Sequence, residues 1–431
     1  MNILIHNAHI LTMDTWDRVI AQGSVAVSDG KILHVGEGRA LPDGFVPERT
    51  IDARGGAVLP GFVNAHTHLA MTLLRGYGSD LNLQDWLEQK IWPAEDRLVA
   101  GNCYWASMLG LAEMLLSGTT SFLDMYFFMD EVARAVDETG LRAVLSRGIV
   151  GVSPNFATAL AESEALYRDY HGAADGRLRV MLAPHAEYTN NDHSIERIVE
   201  LSHKLDCGIH VHLQETVAET ESCYTRHGVS PTVWLDRKGL FDRPTVAAHC
   251  VTVTPEDEEI LLARGVSVAH NPGSNMKLAS GIAPVERMRR RGINVALGTD
   301  GPSSNNNLNM LEEAGVAALC AKIKENDPTA LPAYEALKMA TLGGARALGI
   351  DDVTGSLEAG KAADLVLMRA DGPAMHPSID PVANVVFSAS AADVRLTMVA
   401  GRILMEDGKL PGFDLERIYA ETERISAAMR G

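Results

Sequence analysis

The sequence predicts an α/β fold: a (β/α)8 barrel of the TIM type, carrying a small composite β-sandwich domain built from both chain ends. Three observations predict it. Short apolar runs alternate with helical stretches through the middle of the 431-residue chain. Both ends carry alternating apolar and polar residues instead. The polar residues that close the central runs are mostly of one chemical kind. At about 150 residues per domain, the length suits three domains, or one large barrel with additions.

The two ends come first. MNILIHNAHILTMD, SVAVSDGKILHVGE and RTIDARGGAVLP alternate in strand fashion, with Asp-Gly and Gly-Gly turn signals between them. ADLVLMRA, ANVVFSA and VRLTMVAGRILMEDGKL repeat that style near the C-terminus, the last with an Ala-Gly hairpin turn. A lone two- or three-stranded piece is marginally stable. Residues 1–57 and 357–431 are therefore expected to form one β domain, with residues 58–356 inserted as the barrel. Two unrelated terminal sheets are the alternative.

In the middle, the apolar runs are AVLPGFVNAH, TTSFLDM, LRAVLSRGIV, LRVMLAPHA, CGIHVHLQE, TVAAHC, VSVAHNP and INVALGTD. Helical stretches such as YWASMLGLAEMLLSG and IERIVELSHKL separate them. Eight strands alternating with helices over roughly 250–300 residues is the count of a (β/α)8 barrel.

Composition excludes several function classes. There are 38 basic and 56 acidic residues, a net charge of −18, which argues against nucleic acid or an anionic membrane surface as partner. Five scattered cysteines with no CxxC suggest neither a disulfide framework nor a cysteine metal site. The N-terminus has no basic-then-apolar leader. The stretch from Gly55 to Leu74 lacks charged residues but holds Pro60, Asn64, His66 and His68, so it is a poor membrane span. A cytoplasmic enzyme is the expectation.

Each run ends in a polar group. In order these are His66 with His68, Asp124, Arg147, His185, His212 with Glu215, His249, His270 with Asn271, and Asp300. In a parallel barrel these ends converge on one mouth, where chemistry sits. His66 and His68, two apart on an extended chain, point to one side. Neutral imidazole suits zinc and related metals. Alone, the pair reads equally as two histidines bonded to backbone. His212 offers a third nitrogen. Glu215, three residues on, suits proton transfer if buried; read alone, it is as easily a surface loop residue. His210 shares the face of His212 one step deeper and reads as a core histidine. His249 suits a ligand or a base beside activated water. Asp300 suits a metal ligand and proton acceptor, or simply the N-cap of the next helix. His270 suits orienting Asp300, or packing.

One absence bears on metal number. Two-metal hydrolases on this plan commonly bridge their ions with a modified lysine at the fourth strand end. Here that end reads Ala183-Pro184-His185-Ala186. Three histidines and one aspartate describe a single metal with an open position for water.

The order HxH, His, His, Asp at successive strand ends resembles the amidohydrolase superfamily, over essentially the whole chain. PGFVNAHTHLAMTLLRGYGSDLNLQDWLEQKIWPAEDRL, AAHCVTVTPED, AHNPGSNMKLASGIAPV and LGTDGPSSNNNLNML are similar to the 5′-methylthioadenosine/S-adenosylhomocysteine deaminases. The resemblance implies that His66, His68, His212 and Asp300 hold one divalent metal, zinc. It implies catalytic roles for Glu215, His249 and Asp300, with Glu215 also touching the substrate. It implies that Glu95 accepts the ribose hydroxyls, that His185 contacts the purine and that Arg147 lies near the amino-acid tail of S-adenosylhomocysteine. Without it, Glu95 reads as a solvated helix-start residue and Arg147 as a rim salt bridge. Trp86 and Trp92 share the Glu95 loop and suit either a nucleoside wall or core packing. A homo-oligomer is implied by analogy.

Two departures stand out. The loop GVSPNFATALAE lacks the second arginine that some members use for the substrate carboxylate, which favours methylthioadenosine or adenosine. PHAEYT places Glu187 where members often carry PHSPYT or PHAPYT, adding an acidic group near the mouth. The implied reaction is metal-dependent hydrolytic deamination at C6 of an adenine nucleoside, with release of ammonia. The rivals are another ring aminohydrolase or chlorohydrolase, acting on guanine, a pterin or a triazine, and a non-catalytic scaffold on the same fold.

Overall fold

The computed structural model describes residues 1–39 and 41–430. Its architecture is α/β, with one mixed sheet and two parallel sheets.

The mixed sheet has eight strands and draws on both chain ends. Ile3–Leu11 pairs antiparallel with Val19–Ser28 and parallel with Arg49–Asp52 and Ala57–Pro60. Ala57–Pro60 pairs in turn with Leu365–Met368. Leu365–Met368 continues into Val394–Val399 and Arg402–Glu406. The alternation in these segments puts Ile3, Ile5, Val25, Val27, Leu365, Leu367, Leu396 and Met398 into one apolar cluster. Two C-terminal segments are helical. ANVVFSA, expected as a strand, lies in the helix Pro381–Phe387. Asp380 accepts the N–H of Ala383 there, and Pro381 occupies the first turn, so the start signal outweighs the β-branched residues. The helix Leu415–Arg430 packs beside the turn that follows Phe62–Thr67, where Ser426 donates to the carbonyl of Leu73 at 2.7 Å.

The first parallel sheet contains Phe62–Thr67, Thr119–Tyr126 and Arg142–Ile149, followed by Leu178–Val180 and Ala183–Pro184. The second contains Ile209–Leu213, Thr245–His249, Ser267–His270 and Val295–Leu297. Parallel bridges Leu182–Ile209 and Ala186–His212 join them on one side. On the other side, the N–H of Asp300 reaches the carbonyl of His66 at 3.0 Å. Asn64 donates to Thr299 Oγ1 at 2.7 Å and accepts the Thr299 N–H at 3.0 Å. Gly298 permits that approach: a Cβ there would sit 2.8 Å from the backbone N and O of His66. The strands are buried on both faces, as helix-covered parallel strands are. The helices Ala100–Leu116, Met129–Thr139, Phe156–Tyr170, Asp192–Leu205, Pro255–Arg264 and Met310–Glu325 alternate with them.

A buried ion pair ties the mixed sheet to the parallel strands. Arg142 Nε donates to Asp364 Oδ2 at 3.0 Å, and Asp364 Oδ1 also accepts the N–H of Ala400 at 2.7 Å. Both side chains are nearly inaccessible. Asp364→Asn leaves the guanidinium charge buried without its counter-ion. It should cost about 3–5 kcal/mol, read from urea denaturation; a loss under about 1 kcal/mol would show the pair to be dispensable.

Candidate active site

The C-terminal ends of the parallel strands bring His66, His68, His212, His249 and Asp300 together. His68 donates its Nδ1–H to the carbonyl of Met125 at 2.6 Å, and His212 donates its Nδ1–H to the carbonyl of His185 at 2.7 Å. Both carbonyls lie on neighbouring strand ends. Their Nε2 atoms are left bare and approach each other to 3.2 Å. His68 Nε2 and His66 Nε2 lie 3.2 and 3.4 Å from Asp300 Oδ1. Donor atoms of His66, His68 and Asp300 fall within 4.8 Å of one another, as do those of His66, His212 and His249. The Nε2 of His66 is buried with no hydrogen-bond partner. Bare ring nitrogens around a carboxylate, each held from behind, are the donor set of a divalent cation. The site fits a metal ion.

The supporting contacts extend beyond the residues singled out in the sequence. Asp300 Oδ2 accepts from Ser274 Oγ at 2.6 Å and Ser304 Oγ at 2.8 Å, and Oδ1 accepts the N–H of Gly301. His249 Nδ1–H donates to Asn275 Oδ1 at 2.8 Å, leaving Nε2 3.8 Å from Glu215 Oε2. Glu215 is buried, and burial raises its pKa against the opposing charge of His249. Glu219 accepts the backbone N–H of both Gln214 and Glu215, which fixes the turn that carries Glu215. Several residues of these turns take left-handed backbone angles without being glycine: Gln214 (φ 50°), His249 (φ 74°), Cys250 (φ 50°) and Asp300 (φ 60°). Such strain clusters where side chains must be aimed.

Other predicted residues fall as follows. Glu95 is anchored by the hydroxyl of Tyr126, which donates to Oε1 at 2.7 Å. The Tyr126 ring lies 6.3 Å from that of His68. Burial pushes Glu95 up to about 7 against that hydrogen bond. His185 sits beside His212 with ring centroids 4.7 Å apart, and burial holds it down at about 4. Asp124 accepts the N–H of Leu69 at 2.8 Å and so fixes the turn after His68; burial pushes it up to about 7. Arg147 pairs with Glu162 at 2.8 Å and lies 4.9 Å over the Phe127 ring. His270 makes no contact with Asp300 among the hydrogen bonds of the described residues, and its Nδ1 has no partner. Asn271 is buried at the same strand end. Trp86 packs into the main apolar core, while Trp92 is partly exposed.

Glu187, the acidic residue of PHAEYT, is fully buried and paired with Arg226 at 2.7 Å and His227 at 3.0 Å. These partners sit at the last turn of the helix Val217–His227, well beyond the turn that carries Glu215. No local sequence pattern joins them to position 187. Tyr126, Ser274, Asn275, Ser304 and Glu219 were also missed, although DMYFF and HNPGSNM place the first three at strand ends.

The family model described as "Amidohydrolase family" matches residues 57–404. A curated relative from Desulforudis audaxviator, named 5-methylthioadenosine/S-adenosylhomocysteine deaminase, is 49% identical, covering 99% of this chain and 98% of its own. A crystal structure of an adenosine deaminase from Xanthomonas campestris with bound zinc superposes with a TM-score of 0.94 at 36% identity, covering 99% of this chain and 98% of that one. An atrazine chlorohydrolase from Arthrobacter aurescens complexed with zinc gives 0.90 at 27% identity, covering 98% of this chain and 100% of that one.

A metal that binds the folded state alone stabilises it by mass action, by about 2.7 kcal/mol at a hundredfold excess over Kd. Chelator-stripped protein should therefore melt lower than protein reloaded with one equivalent of zinc. Equal melting points, with no metal retained on gel filtration, would remove the metal from the site.

Proposed function

Because the chain belongs to the amidohydrolase family, and its curated relatives match it from end to end, we propose that it deaminates adenine nucleosides by hydrolysis at C6, releasing ammonia. 5′-Methylthioadenosine, S-adenosylhomocysteine and adenosine are the substrates of this reading. The observation that carries it is two carboxylates beside one histidine–aspartate cluster: buried Glu215, 3.8 Å from His249 Nε2, and half-buried Glu95, held by the hydroxyl of Tyr126, whose ring neighbours His68. In this reading one carboxyl group serves the purine ring and the other the ribose hydroxyls.

In this reading His66, His68, His212 and Asp300 hold one divalent ion, zinc. Bound there, such an ion supplies Lewis-acid activation of water near neutral pH. Asp300 takes the proton of the attacking water. His249, fixed by Asn275, aligns the attacking oxygen through Nε2. Glu215 gives its proton to N1 as the C–O bond forms at C6. The tetrahedral carbon then collapses: Asp300 passes the water proton to the C6 amino group, the C6–N bond breaks and ammonia leaves, and the C6 hydroxyl returns its proton to Glu215 as the 6-oxo group forms. Glu95 accepts the two ribose hydroxyls, which suit two carboxylate oxygens. His185 lies against the purine. We also read the two parallel sheets as one closed (β/α)8 barrel of residues 58–356, and residues 1–57 with 357–431 as the composite β-sandwich domain.

A second reading is hydrolysis of a bare ring, since the chlorohydrolase shares the fold along the whole chain. Glu95 separates the two, because a free base offers it no ribose. The test is a deamination assay of zinc-loaded protein on methylthioadenosine, S-adenosylhomocysteine, adenosine and guanine. Glu215→Gln should keep zinc and lose turnover by at least about a hundredfold. Glu95→Gln should cost nucleosides far more than bases. Near-normal rates in Glu215→Gln would refute its role, and silence on all adenine nucleosides would favour the bare-ring reading.

Arg147 generates a further expectation. Its guanidinium already serves Glu162 and the carbonyl of Gly148. A substrate carboxylate therefore has to compete with Glu162. Methylthioadenosine should be preferred, and Glu162→Gln should shift kcat/KM toward S-adenosylhomocysteine by about tenfold, a 1.4 kcal/mol effect. An unchanged ratio would place the substrate tail elsewhere.

A further inference from the structure

His210, which the sequence marks as a core residue, stands in a buried chain of hydrogen bonds behind His66. His66 Nδ1 lies 2.8 Å from His210 Nε2. His210 Nδ1 lies 3.1 Å from Ser146 Oγ. Ser146 Oγ lies 2.6 Å from the carbonyl oxygen of Asp124. All three side chains are fully inaccessible to bulk solvent, and each is within hydrogen-bond distance of the next.

The direction of the protons follows from the far end. A carbonyl only accepts, and a serine hydroxyl has one proton to give. The 2.6 Å contact is short for O–H···O, whereas 3.1 Å to His210 is ordinary for N–H···O. The Ser146 proton therefore goes to Asp124, and its lone pair faces His210. His210 then carries its proton on Nδ1 and is bare at Nε2. The bare nitrogen accepts from His66 Nδ1–H, and His66 Nε2 is left bare. That atom is the one 3.4 Å from Asp300 Oδ1 and without a hydrogen-bond partner.

The opposite polarity is chemically available. If Ser146 gave its proton to His210, His66 would carry a proton on Nε2 aimed at Asp300, and a cation would be shut out. His68 and His212 face no such choice, because backbone carbonyls fix their Nδ1–H outright. His66 is backed by another imidazole, which works with either polarity.

We propose that His210, oriented by Ser146, is a positioning residue that holds the proton of His66 on Nδ1 and keeps its Nε2 lone pair turned into the metal site. The proposal rests on the reading of His66 as a metal ligand. His210 and His212 stand two apart on Ile209–Leu213, so one strand face carries a ligand and, one step deeper, the support of another strand's ligand.

The test has two parts. Zinc affinity is measured by chelator competition on apo wild type, His210→Phe and Ser146→Ala. His210→Phe removes both ring nitrogens at similar volume and should weaken zinc binding about 10–100-fold. Ser146→Ala should weaken it less, and Ser146→Thr, which restores the hydroxyl, should recover it. Separately, 15N-histidine NMR of zinc-loaded wild type should find the His210 proton on Nδ1; this needs no variant to fold. Zinc affinities within twofold of wild type in both His210→Phe and Ser146→Ala, or a His210 proton on Nε2, would overturn the relay while leaving the metal site intact. Failure of wild type to bind zinc would overturn the metal reading and the relay together.

Discussion

A neutral imidazole has one proton and one lone pair, and the partner of one nitrogen decides what the other can do. The cluster depends on that constraint. His68 and His212 each spend their proton on a carbonyl at the end of an adjacent strand, at Met125 and His185. Those carbonyls are in reach because Phe62–Thr67 pairs in parallel with Thr119–Tyr126, and Ala186 forms a parallel bridge with His212. Backbone geometry thereby determines side-chain chemistry: a slip of one residue would turn each ring to the other side of its strand.

The same mouth is bought with local cost elsewhere in the chain. Non-glycine residues in left-handed conformation mark the turns after three strands, including His249 and Asp300. Compensation is visible nearby. The two N–H groups freed at Gln214 and Glu215 are collected by the Glu219 carboxylate, and Asn64 with Thr299 ties the first parallel strand to the last. Buried polar contacts hold these turns: Gln214 Nε2 donates to Asp257, and Ser274 and Ser304 both donate to Asp300.

Much of this was legible in the sequence because it is written locally. Apolar runs of strand length ending in His, Asp or Glu announce both a parallel sheet and the level at which its polar residues gather. Positions 66, 68, 212, 249 and 300 needed nothing more. Residues that act through space left no such trace. Tyr126 meets Glu95 across 31 positions, and Glu187 meets Arg226 across 39. His210 looked like core because burial is all that a run such as GIHVHL reveals; its neighbour His66 lies 144 residues away. ANVVFSA misleads for the converse reason: its short apolar run has a strand's look, while the Asp-Pro start signal beside it begins a helix.

The mixed sheet has a bearing on how the chain is made. Ala57–Pro60 finds its neighbour Leu365–Met368 only after some 300 further residues have been synthesised. At about 5–20 residues per second, the N-terminal strands wait roughly 15–60 s on the ribosome with that edge unpaired. Non-local pairing of this kind closes late and slowly. A nascent chain that stops before the last strands keeps an open sheet edge at Ala57–Pro60, the feature that templates pairing with another chain.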